Sequence, residues 1–253
     1  MGQILAYTFN QVDSTRTPVV FLHGFLESST MWEELELPED RSVLMVDLPG
    51  HGGSIHMTDG ANSINDMAKA VLEVVDEVGL PDFHIIGHSM GGYVALVMKE
   101  IESRVKRVML LNSNYWTDSP QKVKDRKRVA EIVKTNQAHF IYEVIPNLFL
   151  HPEKYHDKVK GLIDEAMKMS PEVIAKASIA MSQRANYTDY VLQHADHFTC
   201  VQGESDPIVS AKRMRKELTD SNAKYVEVAG VGHMAHIEAT SIINACVKEF
   251  VAD

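Results

Sequence analysis

Ser89 lies in the run Gly87-His88-Ser89-Met90-Gly91-Gly92, which fits the pattern Gly-x-Ser-x-Gly. A serine hydroxyl is a poor nucleophile near neutral pH. It needs a base to take its proton, a carboxylate to orient that base, and donors for the oxyanion that forms. Further along, Asp206 follows Gly203-Glu204-Ser205 and His233 follows Gly232. Ser89, Asp206 and His233 thus come in the chain order serine, acid, histidine. Together they would transfer an acyl group: His233 as general base, Asp206 as its orienting acid. His236 competes with His233 but falls inside the last predicted helix and should point elsewhere. Glu204 competes with Asp206 from within the turn, and Asp118 is a more distant alternative. The oxyanion donors expected are two backbone N–H groups, those of Met90 and Phe25. His23 is expected to brace the Phe25 loop rather than do chemistry.

Such residues work only if something brings them together. Phe83-His84-Ile85-Ile86 reads as a buried strand and Tyr93–Glu100 as an amphipathic helix, so Ser89 should occupy a tight turn between them. The helix N-terminus would then point free N–H groups at whatever the serine attacks. Val19–Leu22 is an unbroken apolar run, as expected of a strand covered on both faces, and Val43–Val46, Val105–Leu111 and Phe198–Gln202 read as further strands. Tyr225–Val228 reads as the last strand, and Ile4–Phe9 as an edge strand. Between them fall helices at Ser63–Val78, ended by Gly79, at Ala211–Leu218, and around His236–Val251. A short helix is expected over Ser29–Leu35, capped by Ser28 or Ser29. Strand and helix alternate, which implies a parallel sheet with right-handed crossovers. Each candidate residue follows a strand, where ligands gather in such sheets.

From about Asn112 to about His194 the strand-like runs vanish and helical periodicity takes over. An insertion of roughly 80 residues is long for a connection and should be a functional lid. Its Lys122–Arg128 charge cluster reads as a solvated helix face. Its Met and aromatic content suggests a mostly apolar pocket. The loop Asp47–Ser54 is Gly-rich but lacks a Gly-Lys-Ser/Thr signature and reads as a structural turn.

The 253 residues carry a net charge of −10 and are 45% hydrophobic. That suits an ordinary globule and argues against nucleic acid as a partner. The two cysteines, Cys200 and Cys246, read as buried free thiols, and their spacing excludes a CxxC motif. No apolar stretch reaches the ~20 residues of a membrane span and no signal pattern opens the chain. A cytoplasmic protein, monomer or homodimer, is expected. The histidine pairs His194/His197 and His233/His236 form no His-Glu-x-x-His motif. No metal or cofactor is expected to be required.

The chain resembles the α/β-hydrolase superfamily, in its compact branch with a helical cap. His23-Gly24-Phe25, Asp47–Ser54, Gly87–Gly92, Gly203–Asp206 and Gly232-His233 carry the resemblance. It implies a mostly parallel eight-stranded sheet with helices on both faces and a cap after the sixth strand. A weak first hairpin implies shortened first strands. The division expected is a core of residues 1–112 and 195–253 with a cap of 113–194. The resemblance also implies a carboxylesterase-like enzyme acting on esters of small to medium acyl chains. Ser89 at the elbow sets the chain apart from relatives that use an aspartate there. Perhydrolysis is a side activity of some serine relatives. Others cleave carbon–carbon bonds or eliminate pyruvate, with a cationic cap pocket that Arg126, Arg128 or Arg184 could supply. A third class comprises small-molecule receptors with a vestigial triad.

Overall fold

The computed structural model describes residues 4–252. Seven strands form one sheet in the order β1-β3-β2-β4-β5-β6-β7. They are β1 (Tyr7–Asn10), β2 (Val19–Leu22), β3 (Val43–Val46), β4 (Phe83–His88), β5 (Val105–Leu111), β6 (Phe198–Gly203) and β7 (Lys224–Val228). β1 is antiparallel to β3, and all the other pairs are parallel. The helices are α1 (Ile64–Glu77), α2 (Met90–Ile101), α3 (Pro120–Val144), α4 (His156–Ala166), α5 (Pro171–Ser182), α6 (Thr188–Gln193), α7 (Ala211–Leu218), α8 (Ala235–Glu238) and α9 (Thr240–Phe250).

The sheet has seven strands among the described residues where eight were expected, so the helical insertion follows the fifth strand rather than the sixth. The reason lies ahead of β1. Leu5 is buried, the Ala6 N–H donates to Ser54 Oγ (2.8 Å), and Ala6 C=O accepts from Asp47 N–H (2.9 Å). Ala6 thus pairs with the two ends of the Asp47–Ser54 loop rather than with a further strand. Asp47 itself accepts from the N–H groups of Ser29 and Gly53 (2.7 and 2.8 Å), so this loop is held as a structural turn.

Alternation along the strands divides the core. Val20, Leu22, Leu44 and Val46 join one cluster with α1, α2 and α7. Val19, Phe21, Val43 and Met45 join the other with Trp32 and α9. Both faces are therefore covered, which is why these runs are apolar throughout. α1 begins at the Ser63 cap, whose side chain accepts from Asp66 N–H, and Gly79 follows its end at φ +67°. The last predicted helix is in fact two, α8 and α9. Ala239 (φ −142°, ψ 44°) breaks it, while no proline or glycine marks the break in sequence.

Helices α3–α6 lie between β5 and β6, and α3 kinks at Asn136. α3, α4 and α5 share an apolar cluster with Leu26, Phe149 and Met234. Ala177, Ala180 and Met181 on α5 join the sheet's own core instead. The insertion is thus packed on the carboxyl edge of the sheet. Cys200 and Cys246 are free and buried.

Candidate active site

β4 ends at His88 and α2 starts at Met90, so Ser89 alone makes the turn, at φ 48° and ψ −111°. That is strained backbone for a residue with a Cβ. Close packing enforces it. A Cβ on Gly91 would sit 2.2 Å from the Leu22 carbonyl oxygen, so only glycine lets α2 approach the end of β2. Two bonds pin the turn: Ser89 N–H donates to Leu111 C=O (3.0 Å), and Ser113 Oγ donates to Ser89 C=O (2.6 Å). Leu26 (φ 67°) and Asn112 (φ 46°) are also left-handed. All three lie beyond the carboxyl ends of strands, so strain gathers at one edge.

The structure brings Ser89, His233 and Asp206 together there. His233 Nε2 lies 3.0 Å from Ser89 Oγ, and its Nδ1 lies 2.8 Å from Asp206 Oδ2. A carboxylate only accepts, so Nδ1 carries the proton and Nε2 is left to accept from the serine. Asp206 is fully engaged. Oδ2 also accepts from Asn112 Nδ2 (2.9 Å) and Gln202 Nε2 (2.7 Å), and Oδ1 from the N–H groups of Ile208 (2.7 Å) and Val209 (2.9 Å). Burial alone would raise its pKa. The His233 imidazole and these donors outweigh burial and hold it at about 2. The other candidates stand elsewhere. Glu204 accepts from Gly230 N–H, Asp118 pairs with Arg126 and Arg184, and His236 faces Trp32 and His88.

The Phe25 loop is braced as expected of its histidine. Leu48 N–H donates to His23 Nε2 (2.9 Å), so Nδ1 carries the proton and donates to Gly24 C=O (2.8 Å). The N–H groups of Phe25 and Met90 have no hydrogen-bond partner among the described residues. The insertion reaches the histidine loop: His233 N–H donates to Leu148 C=O (2.8 Å), and Glu238 accepts from both Gly232 and Leu150 N–H (2.9 and 2.8 Å).

A cavity of about 400 Å³ opens on Ser89 and His233, walled by Phe25, Val129, Phe140 and Met181 among others. Lys122 and Arg126 also face it. The expectation of a wholly solvated charge cluster is therefore wrong for these two. Spaced four apart on α3, they share the face turned inward, while Lys124, Lys127 and Arg128 stay exposed. Lys122 Nζ donates to Ile208 C=O (2.8 Å), and Arg126 pairs with Asp118.

Sequence reasoning missed four residues: Asn112 and Gln202 behind Asp206, and a buried pair, Glu27 and His88. His88 Nδ1 lies 2.8 Å from Glu27 Oε2. Asn112 had one legible signal, a polar residue ending an apolar strand. Glu27 had none, since 61 residues separate it from His88.

The buried ionisable groups make stability depend on pH. Burial, and then neighbouring imidazoles, pull His51 and His236 down to about 3, and burial also lowers His23. Unfolded histidines titrate near 6.5. Below that pH the unfolded chain binds protons that the fold refuses, so stability falls as pH drops from about 6.5 toward 3. Burial would raise Glu27, but His88 outweighs it and holds Glu27 at about 2, as Asp206 is held. Their contribution is complete above about 4.5 and is lost as pH falls toward 2. His88 works in the opposite sense. Burial lowers it but Glu27 outweighs burial and raises it, so its contribution is complete below 6.5 and fades as pH rises through its folded value. Melting temperature followed by calorimetry is expected to decline below about pH 6.5 and to fall more steeply below about 4.5. His51→Asn should flatten the upper part of that decline. A melting temperature constant from pH 7 to 5 would contradict this account.

An edge of parallel strands that gathers a strained serine, a histidine and a buried carboxylate defines a hydrolase architecture. The pattern of the alpha/beta hydrolase fold family matches residues 17–148, and the chain belongs to that family. A thermophilic esterase from Thermogutta terrifontis superposes with a TM-score of 0.87 at 25% identity, covering 98% of this chain and 92% of that one. The dihydrolipoyllysine-residue acetyltransferase component of the acetoin cleaving system of Pseudomonas putida is 26% identical over 247 residues, 93% of this chain and 63% of that protein. The 2-succinyl-6-hydroxy-2,4-cyclohexadiene-1-carboxylate synthase of Escherichia coli O7:K1 is 39% identical over 80 residues, 31% of each chain. The chain thus spans less than two thirds of the length of these two relatives. Among the described residues no helix is long and apolar enough to cross a membrane.

Proposed function

We propose that the protein is a serine hydrolase of carboxylic esters working through an acyl-enzyme. One observation carries the reading: His233 Nε2 stands 3.0 Å from Ser89 Oγ while Asp206 holds Nδ1 at 2.8 Å. His233 takes the hydroxyl proton as Ser89 Oγ bonds to the ester carbonyl carbon. The N–H groups of Phe25 and Met90 hold the oxyanion. The tetrahedral adduct collapses, the C–O bond to the alcohol breaks, and His233 returns the proton to the leaving oxygen. Water then repeats both steps on the acyl-enzyme and releases the acid. The segment 113–194 serves as a cap. Its apolar wall and the cavity of about 400 Å³ suit a small to medium acyl group. The similarity to an esterase supports the same reading.

Lys122 and Arg126 favour a second reading, cleavage of a carbon–carbon bond or elimination from a substrate that carries a carboxylate. The local similarity to the cyclohexadiene carboxylate synthase fits it. A panel of p-nitrophenyl esters from acetate to dodecanoate, run beside the half-ester of glutaric acid and a fluorophosphonate probe, separates the two. Ester hydrolysis predicts turnover that peaks at short to medium chains and a probe adduct on Ser89. An adduct on Ser89 with every ester inert would move the assignment to the second reading. No adduct and no turnover would remove both.

A further inference from the structure

Along the wall of the cavity that opens on Ser89 and His233 the fold holds an acid and a base, both nearly buried, that the reaction scheme above does not use. Glu27 and His88 are 4% and 1% exposed. Glu27 Oε2 accepts from His88 Nδ1 (2.8 Å) and from the Gly24 N–H (2.6 Å). On the other side of the ring, His88 Nε2 lies 3.1 Å from the backbone carbonyl oxygen of His233. Both partners of the ring are acceptors, a carboxylate and a carbonyl. Neither ring nitrogen can accept, so both donate and the ring is an imidazolium. One unbroken chain of bonds results: Gly24 N–H to Glu27, His88 to Glu27, and His88 to the His233 carbonyl. One end lies next to Phe25 and the other on the backbone of the proposed base.

Two observations set this pair apart from ordinary core packing. A Cβ on Gly24 would lie 2.4 Å from Glu27 Oε2 and 2.7 Å from His88 Nδ1, so the loop keeps a glycine where the pair passes. Glu27 Oε1 is buried without a hydrogen-bond partner among the described residues, as are both nitrogens of His236, whose ring centre is 5.2 Å from that of His88. A core selected only for stability does better with apolar residues than with a half-satisfied ion pair.

We propose that Glu27 and His88 are positioning residues, a buried charged strap that fixes the Phe25 amide and the His233 loop relative to each other across Ser89. The proposal rests on the hydrolase reading, in which one end supplies the oxyanion donor and the other the base. Both must hold their places to a fraction of an ångström, since a misplacement of about 1 Å can cost about 10²-fold in rate.

Glu27→Gln is the most direct test because it is nearly isosteric. If the glutamine oxygen occupies the Oε2 position, Gly24 keeps its acceptor. His88 can then be neutral, which leaves a bare Nε2 facing the His233 carbonyl. If the glutamine nitrogen takes that position, it meets the Gly24 N–H, donor against donor. Either way one tie is lost. The expected result is a fall of about 10- to 100-fold in kcat on the best ester and in the rate of fluorophosphonate labelling of Ser89, with KM within about twofold. The double variant Glu27→Met/His88→Leu removes both charges with little change in volume. It leaves the buried Gly24 N–H without its acceptor, so its melting temperature should fall by only a few degrees, and it should still be slow. Nitrogen-15-edited NMR of the native protein should show both ring N–H protons of His88 at neutral pH, and Glu27→Gln should lose one. Native rates in Glu27→Gln, native rates in a stable double variant, or a single ring proton in native His88 would each overturn the strap. An unlabelled Ser89 in the native protein would overturn the hydrolase reading instead, and the His88 ring signals would still decide the charge of the pair.

Discussion

Ser89→Ala is expected to remove on the order of 10⁶ of ester turnover while leaving the fold intact. The size follows from the way the three side chains act. His233 has no other proton to take, and Asp206 then orients a base with nothing to activate, so the loss is that of the whole unit. The structural cost is small. The turn is held by Ser89 N–H to Leu111 C=O and by Ser113 Oγ to Ser89 C=O, and alanine keeps both backbone groups. The strained φ of 48° is the same for either residue. Steady-state hydrolysis of p-nitrophenyl butyrate and a thermal melt, run on the same preparation, give the two numbers. An unchanged melting temperature with rate reduced to the level left by the oxyanion donors is the expected pair. Retained turnover would remove Ser89 as the nucleophile.

Asp206→Asn should cost about 10⁴ in kcat, and here the fold should suffer too. Each oxygen of Asp206 faces only donors: three side-chain N–H groups on Oδ2 and two backbone N–H groups on Oδ1. An asparagine must place its NH2 among one set or the other. Beside Ile208 and Val209 it leaves buried backbone donors unpaired. Beside His233 it forces the proton from Nδ1 to Nε2, and Nε2 can no longer accept from Ser89. Asn112 and Gln202 cannot simply flip to help. Their nitrogens also donate to Gly232 C=O and Val209 C=O (both 3.1 Å), and those bonds would be lost. A buried unpaired donor costs about 2 kcal/mol, which in a domain of this size lowers the melting temperature by roughly 4–8 °C. The signature is thus a loss in both measurements, unlike Ser89→Ala. A variant as stable as the native protein, or one that keeps its rate, would show that Asp206 is not held as described.

The contrast between Ser89 and Asp206 also shows where reading the chain runs out. Ser89, Asp206 and His233 were legible because each sits in a short local pattern after an apolar run, and because parallel strands end at one edge. The sheet itself was legible for a related reason. Strands covered on both faces must be apolar at every position, and Val19–Leu22 and Val43–Val46 are fully buried. The strand count was not, because eight was what the resemblance implied, while Ala6, just ahead of β1, bonds to the Asp47–Ser54 loop. Nor was the break at Ala239, which lacks a helix-breaking residue.

The chain alone therefore determined the sheet, the helical insertion and the three residues that meet at the sheet's edge, since each depends on periodicity or on a motif a few residues long. Only the tertiary structure decided what surrounds them: Asn112 and Gln202 on the carboxylate, Lys122 and Arg126 turned into the cavity, and Glu27 against His88. Those partners come from elements far apart in sequence. Their pairing follows from how helices and loops pack on the sheet, and burial makes each polar group find whichever partner that packing leaves in reach.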